Sequence, residues 1–184
     1  MQHWTVGDID IHAVPQAVIP IPPTLLFAGA LERCADDSLA DYCDASGNIL
    51  MAIQSYLIAS EAAQHGKLRL VGPDHQLTEA VRLVPTAGHI PGHVSVRIES
   101  AGAVAYISGD VVHHPVQIGD PEISARPDAD ASAARASRLD LLRRVADERA
   151  LLLGSHFAVP SGGYIKSAGA GLAWQPLVER EGAR

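Results

Sequence analysis

Thr86-Ala87-Gly88-His89-Ile90-Pro91-Gly92-His93 is the stretch that decides the fold, and it has two echoes downstream, Ser108-Gly109-Asp110 and Gly154-Ser155-His156. Each places a side chain of metal-ligand type behind small residues at the end of an apolar run. Strand ends fix the direction of a side chain, and glycine, lacking a Cβ, lets a loop backbone crowd against the same point. A zinc-type site can be assembled from a sheet in this way, so His93, Asp110 and His156 are the candidate ligands.

Around these residues the second half of the chain is regular. Residues 81–84 read as a strand, 85–92 as the loop carrying the histidines, 94–99 as a cleanly alternating strand, and 103–107 as its return after Ala101-Gly102. Asp128 or Asp130 can cap a helix running to about residue 150, with Leu139, Leu142, Val145 and Ala146 as its apolar stripe. The mixed charges Arg138, Asp140, Arg143, Arg144 and Asp147 read as its solvated face, and 151–153 as a buried strand ending near His156.

The first half is less orderly. Trp4, Val6, Ile9 and Ile11 around Gly7-Asp8 suit a short antiparallel pair or one bent strand. Residues 14–44, with four of the twelve prolines, read as an irregular loop with at most a helical turn at 25–31. Residues 49–58 form a strand, the small polar segment 60–66 follows at once, and 67–71 read as a further strand.

At 184 residues and 47% hydrophobic, the chain suits one domain spanning 1–184. Its net charge of −7 and the lack of a basic run argue against a nucleic-acid partner, because counterion release requires clustered Lys and Arg. The start lacks a basic region leading into an apolar stretch, and the apolar segment 17–31 is broken by Pro20, Pro22 and Pro23, so no membrane association is expected and the chain reads as cytoplasmic. Cys34 and Cys43 match no metal or redox spacing and read as reduced thiols. His3, His12, His65 and His75 show no ligand spacing and read as surface residues.

The sequence resembles the metallo-β-lactamase superfamily, in particular its lactonase-like and organophosphate-hydrolase-like branch. The likeness rests on Thr-x-Gly-His-x-Pro-Gly-His-x-Ser-Val at 86–96, on Ser-Gly-Asp with the following Val-Val-His-His-Pro-Val-Gln at 108–117, and on His156-Phe157. It implies an α/β fold of αββα sandwich type, two sheets face to face with helices outside and a metal site in the cleft at their edge. It also implies His93 as a ligand of a first metal, His156 of a second, and Asp110 as the bridge. His89 would shape the loop or hydrogen-bond behind the ligands, and His113 and His114 would line the loop after Asp110, on the side of a substrate.

The family's His-x-His-x-Asp-His signature occurs nowhere in this chain. Residues 59 and 60 join within a few positions to a segment that looks like the family's sequence just ahead of the histidine loop, as an internal deletion near 60–64 would leave it. The N-terminal half is then an incomplete version of the sandwich, with apolar surface or an unpaired strand edge at 49–58 open to self-association. Catalytic zinc sites keep about three protein ligands and a water. Three residues with Asp110 shared therefore support one weakly held zinc or other divalent transition-metal ion, or none. The implied activity is hydrolysis of a small-molecule lactone, ester or phosphotriester by a metal-activated water, at or near background. The competing reading is a non-catalytic remnant or binding domain of the same fold.

Overall fold

Apolar runs lay down two sheets that face each other. A computed structural model describes residues 2–27, 37–59, 71–169 and 171–177. The first sheet contains β1 (His3–Val6), β2 (Ile9–Ile21) and β3 (Ile49–Ala59), in that order. The second contains β4 (Val81–Pro85), β5 (Val94–Ser100), β6 (Ala103–Ile107), β7 (Leu151–Leu153), β8 (Gly162–Ala168) and β9 (Gly171–Pro176), also in sequence order. All its pairings are antiparallel except β6 with β7, which are parallel and enclose the two helices α2 (Val116–Gly119) and α3 (Ala131–Asp147) in their connection.

Side-chain alternation assigns each face its layer. Trp4, Val6, Ile9, Ile11 and Ala13 of the first sheet pack against Ala105, Ile107, Leu151 and Leu153 of the second. The intervening Tyr106 and Leu152 point the other way, into a core completed by Leu141, Leu142 and Val145 of α3. Leu151, Leu152 and Leu153 are all buried, as expected of a strand covered on both faces.

Helix α3 begins where a cap was expected. Asp130 accepts hydrogen bonds from the N–H groups of Ser132 and Ala133, each at 3.0 Å. Its buried stripe differs from the expected one, for it consists of Ala134, Arg138, Leu141, Leu142 and Val145. Arg138 is wholly buried rather than solvated, because its long side chain turns inward to reach the carbonyls of Pro121, at 3.1 Å, and Val111, at 3.2 Å.

The expected loop over 14–44 is corrected as well. Strand β2 runs on to Ile21 despite Pro15 and Pro20, with a shift in register between Pro15 and Ala17. A bulge absorbs the missing N–H, and the run beyond it still pairs with β3 from Ala17↔Ile53 to Ile21↔Ile49. The helical turn, α1, lies at Pro23–Leu26. The expected strand at 67–71 lies outside the described residues except for Val71, which is not in a strand, and the junction at 60–64, His65 and Cys34 lie outside them altogether.

Among the described residues the first sheet has three strands and the second six. Val14 and Ile53, on the outer face of the smaller sheet, are 40% and 37% exposed. The free edge of β3 is covered in part: Ala52 donates its N–H to the His156 carbonyl at 3.0 Å, and Tyr56 donates its hydroxyl to the Gly154 carbonyl at 2.9 Å.

Candidate functional site

The loop from Thr86 to His93 is closed on itself by the Thr86 N–H donating to the His93 carbonyl at 3.0 Å, and it leans on the start of α3. Asp130 and Ala129 donate backbone N–H groups to the carbonyls of Gly88 and His89, at 2.9 and 3.0 Å, and the Ser137 hydroxyl donates to the Ala87 carbonyl at 2.6 Å. Gly88 has φ +138°, and a Cβ there would stand 2.1 Å from the Ala134 nitrogen. Only glycine permits the loop to sit this close to the helix.

Within this frame His93 has a fixed tautomer. Its Nε2 accepts the backbone N–H of Asp110 at 2.8 Å, so the proton lies on Nδ1, which faces the Thr86 carbonyl at 3.1 Å and its hydroxyl at 2.8 Å. The Ser95 hydroxyl donates to the Ser108 carbonyl at 2.8 Å and lies 3.2 Å from the Thr86 hydroxyl, which donates to it. Burial, only partly offset by the charge of Asp110, pushes the His93 pKa down, so the ring stays neutral.

Asp110 lies in a single 3-10 turn, Gly109–Val111, directly after β6, and His156 follows β7 by three residues. The side chains meet, with His156 Nε2 2.8 Å from Asp110 Oδ1, while His156 Nδ1 faces the Ala52 carbonyl at 3.0 Å. Both partners are acceptors, so each ring nitrogen is placed to donate, an arrangement that favours the protonated imidazole. Burial opposes that charge, but the Asp110 carboxylate and the Ala52 carbonyl together hold the His156 pKa above its ordinary value. The hydrogen bond from His156, against the opposing effect of burial, draws Asp110 down to about 2.

Two further histidines stand beside these. His89 directs Nε2 toward Asp110 Oδ2 at 3.5 Å, while its Nδ1 donates to Asp128 Oδ1 at 3.1 Å. Asp128, whose side chain is 1% exposed, was expected only as a helix cap. It is the residue that sequence reasoning missed, and the available signal was two aspartates two positions apart where one cap suffices. His113 lies parallel to His156 with ring centroids 5.3 Å apart, and its buried Nδ1 has no hydrogen-bond partner among the described residues. Burial, with the charge of His156 next, drives the His113 pKa down to about 3.

His114 goes elsewhere. It is fully buried and meets Tyr42 and Phe27 edge to face, with centroids 5.9 and 6.4 Å away. Thus His93, Asp110, His156, His89 and His113 come together, and His114 belongs to the core.

Neutral imidazole nitrogen and carboxylate oxygen are the donor types a zinc-like ion prefers. Among the described residues, however, no three His, Cys, Asp or Glu side chains are already arranged to hold a metal ion. The Asp110 carboxylate is in direct contact with His156, and the Asp110 N–H occupies the His93 lone pair. The donor types suit an ion, and the arrangement as it stands does not enclose one.

Comparison with known proteins separates sequence from architecture. No protein-family model matches the chain, and no curated protein matches it in sequence. Solved structures do match. AidC, a dizinc quorum-quenching lactonase, aligns with a TM-score of 0.81 at 16% identity, over 96% of this chain and 97% of that one. The hydrolase AbOPH, of the β-lactamase superfamily, gives 0.77 at 16% identity, over 97% and 98%. A protein described as a probable metal-dependent hydrolase from Staphylococcus aureus gives 0.72 at 11% identity, over 98% and 100%. Two facing sheets, with α3 packed on the outer face of the second and His93, Asp110 and His156 gathered at one edge, make this chain a protein of metallo-β-lactamase fold.

Proposed function

We propose that the chain is a catalytically impaired metal-dependent hydrolase, acting on a small-molecule lactone, ester or phosphotriester. The observation that carries this reading is the meeting of His93, Asp110 and His156, from three separate strand ends, through contacts of 2.8 Å each at Asp110. These three residues are the proposed holders of one zinc or other divalent transition-metal ion. His89 and His113 flank them. Held by these residues, such an ion would supply Lewis acidity toward water and the substrate. The residues' own contributions are simpler: Asp110 supplies negative charge, the His93 Nε2 lone pair has a fixed direction but must give up the Asp110 N–H before it could meet an ion, and Asp128 holds His89 in place.

The impairment follows from the ligand count. The chain has no His-x-His-x-Asp-His run, and the ligands that remain already satisfy one another. That internal satisfaction is also the observation favouring the second reading, a non-catalytic domain of the same fold.

The test is hydrolysis of representative lactone, ester and phosphotriester substrates by metal-reconstituted protein, beside a His93→Ala, Asp110→Asn double variant, with metal content measured on both. The proposal expects about one weakly held ion per chain and a rate within about tenfold of the variant. A rate orders of magnitude above the variant overturns the impairment. Complete absence of metal from the unmutated chain overturns the metal-dependent reading in favour of the non-catalytic domain.

A further inference from the structure

A second site lies away from the histidines, in a cleft of about 450 Å³ between α3 and the strands β4, β5 and β6. Its floor is a row of side chains across three strands, since Arg82 of β4 stands opposite Arg97 of β5, which stands opposite Tyr106 of β6. Arg144 of α3 lines the wall. Like charges placed directly across a strand pair repel, and such a pair persists where something compensates it.

For Arg97 the compensation is internal. Its guanidinium meets Glu148 at 3.0 Å and Glu99 at 2.5 Å, and the Tyr106 hydroxyl fixes Glu148 from the other side at 3.0 Å. One arginine thereby neutralises a large part of the charge of both carboxylates in the cleft. Arg144 has its partner, Asp140, at 2.8 Å, outside the lining. Arg82 makes no ion pair or side-chain hydrogen bond among the described residues. Protection of a sheet edge does not account for it, because β4 is already covered by the segment before it: Gln76 bridges Arg82, and Leu83 donates its N–H to the His75 carbonyl at 2.9 Å.

We propose that this cleft binds a small phosphate-bearing molecule, with its phosphate on Arg82 and Arg144 and its body against Val84 and Pro85. The cleft is lined by three arginines and two glutamates, and with Asp140 paired to Arg144 from outside the lining, Arg82 is the guanidinium left uncompensated among the described residues. At physiological ionic strength the distant negative charges are screened beyond roughly 8 Å, so the local guanidinium groups dominate at contact range. Arginine heads approaching from the sheet floor and from the helix wall suit a tetrahedral group with three oxygens better than a planar carboxylate, and each fork can bind two of them. The volume exceeds what a bare phosphate needs and falls within the range of small-molecule sites.

Calorimetric titration with phenyl phosphate, against benzoate as the carboxylate of similar body, tests this on the intact chain. The expected result is one saturable site for phenyl phosphate, with benzoate weaker by about tenfold or more. Arg82→Gln should weaken phenyl phosphate by about tenfold, Arg82→Lys by less, and Glu99→Gln should tighten it by freeing an Arg97 donor. No saturable binding up to about 10 mM, equal affinity for Arg82→Gln, or benzoate binding as tightly as phenyl phosphate would each overturn the proposal. None of these residues touches the histidine cluster, so the outcome is independent of whether the chain hydrolyses anything.

Discussion

His156 and Asp110, 46 residues apart in sequence, are joined at 2.8 Å between Nε2 and Oδ1, and this contact ties the turn after β7 to the turn after β6. Because His156 also donates from Nδ1 to Ala52 of β3, a single imidazole links the two sheets at the edge where the candidate site lies.

Asp110→Asn tests that link. An amide keeps the shape but cannot hold a charged imidazole, and the backbone N–H to His93 is retained. Since the Asp110 side chain is 39% exposed, solvent screening limits the loss in stability to about 1 kcal/mol in the metal-free protein. Urea denaturation measures it. A loss of several kcal/mol would mean that the pair is sealed from water.

Gly109→Ala probes the packing of His93. Gly109 has φ +60°, and a Cβ there would lie 2.6 Å from His93 Nε2. Left-handed backbone strain and the close approach together should cost about 1 to 3 kcal/mol and displace the imidazole. The check is a urea midpoint combined with the His93 ring resonances by NMR. Unchanged resonances would contradict the predicted displacement.

Arg138→Met tests the buried arginine of α3. The substitution removes a buried charge but leaves the carbonyls of Val111 and Pro121 without their donors. Two orphaned acceptors beneath the turn that bears Asp110 should lower stability by about 2 kcal/mol. Arg138→Lys should recover part of this loss. Denaturant unfolding of both variants provides the comparison, and a neutral Arg138→Met would show that water reaches those carbonyls.

His114 makes the fold acid-sensitive. Burial pushes its pKa from the ordinary 6.5 down to about 4, against the weaker opposing effect of the Tyr42 carbonyl. Its Nδ1 accepts the Val116 N–H at 3.1 Å, so protonation would break that bond. Between these two pH values the unfolded chain takes up a proton that the folded chain refuses. The stability is therefore complete above about pH 6.5 and is lost as pH falls toward 4, at up to about 1.4 kcal/mol per pH unit. His114→Gln should reduce the slope of stability against pH in this window by the share of one histidine, leaving that of His113, whose pKa burial also depresses. A slope unchanged by the substitution would place the sensitivity on another group.

What the sequence determined by itself lies in its short-range patterns. The alternation over 94–99 with its return at 103–107, the cap at Asp130, and small residues ahead of His93, Asp110 and His156 follow from backbone geometry and side-chain period, which act over a few residues. The family resemblance of the histidine loop led to the same fold that the solved structures display at identities too low for sequence comparison. Tertiary structure alone decided the rest. Whether β2 could continue past Pro15 depended on β3 lying beside it, and whether Arg138 faced water depended on the carbonyls of Val111 and Pro121 waiting inside. Consecutive histidines, His113 and His114, parted into a polar cluster and an aromatic core, and Asp128 left the role of cap to hold His89. These outcomes were set by partners distant in the chain, and local sequence does not reveal which buried donor or acceptor a side chain will meet.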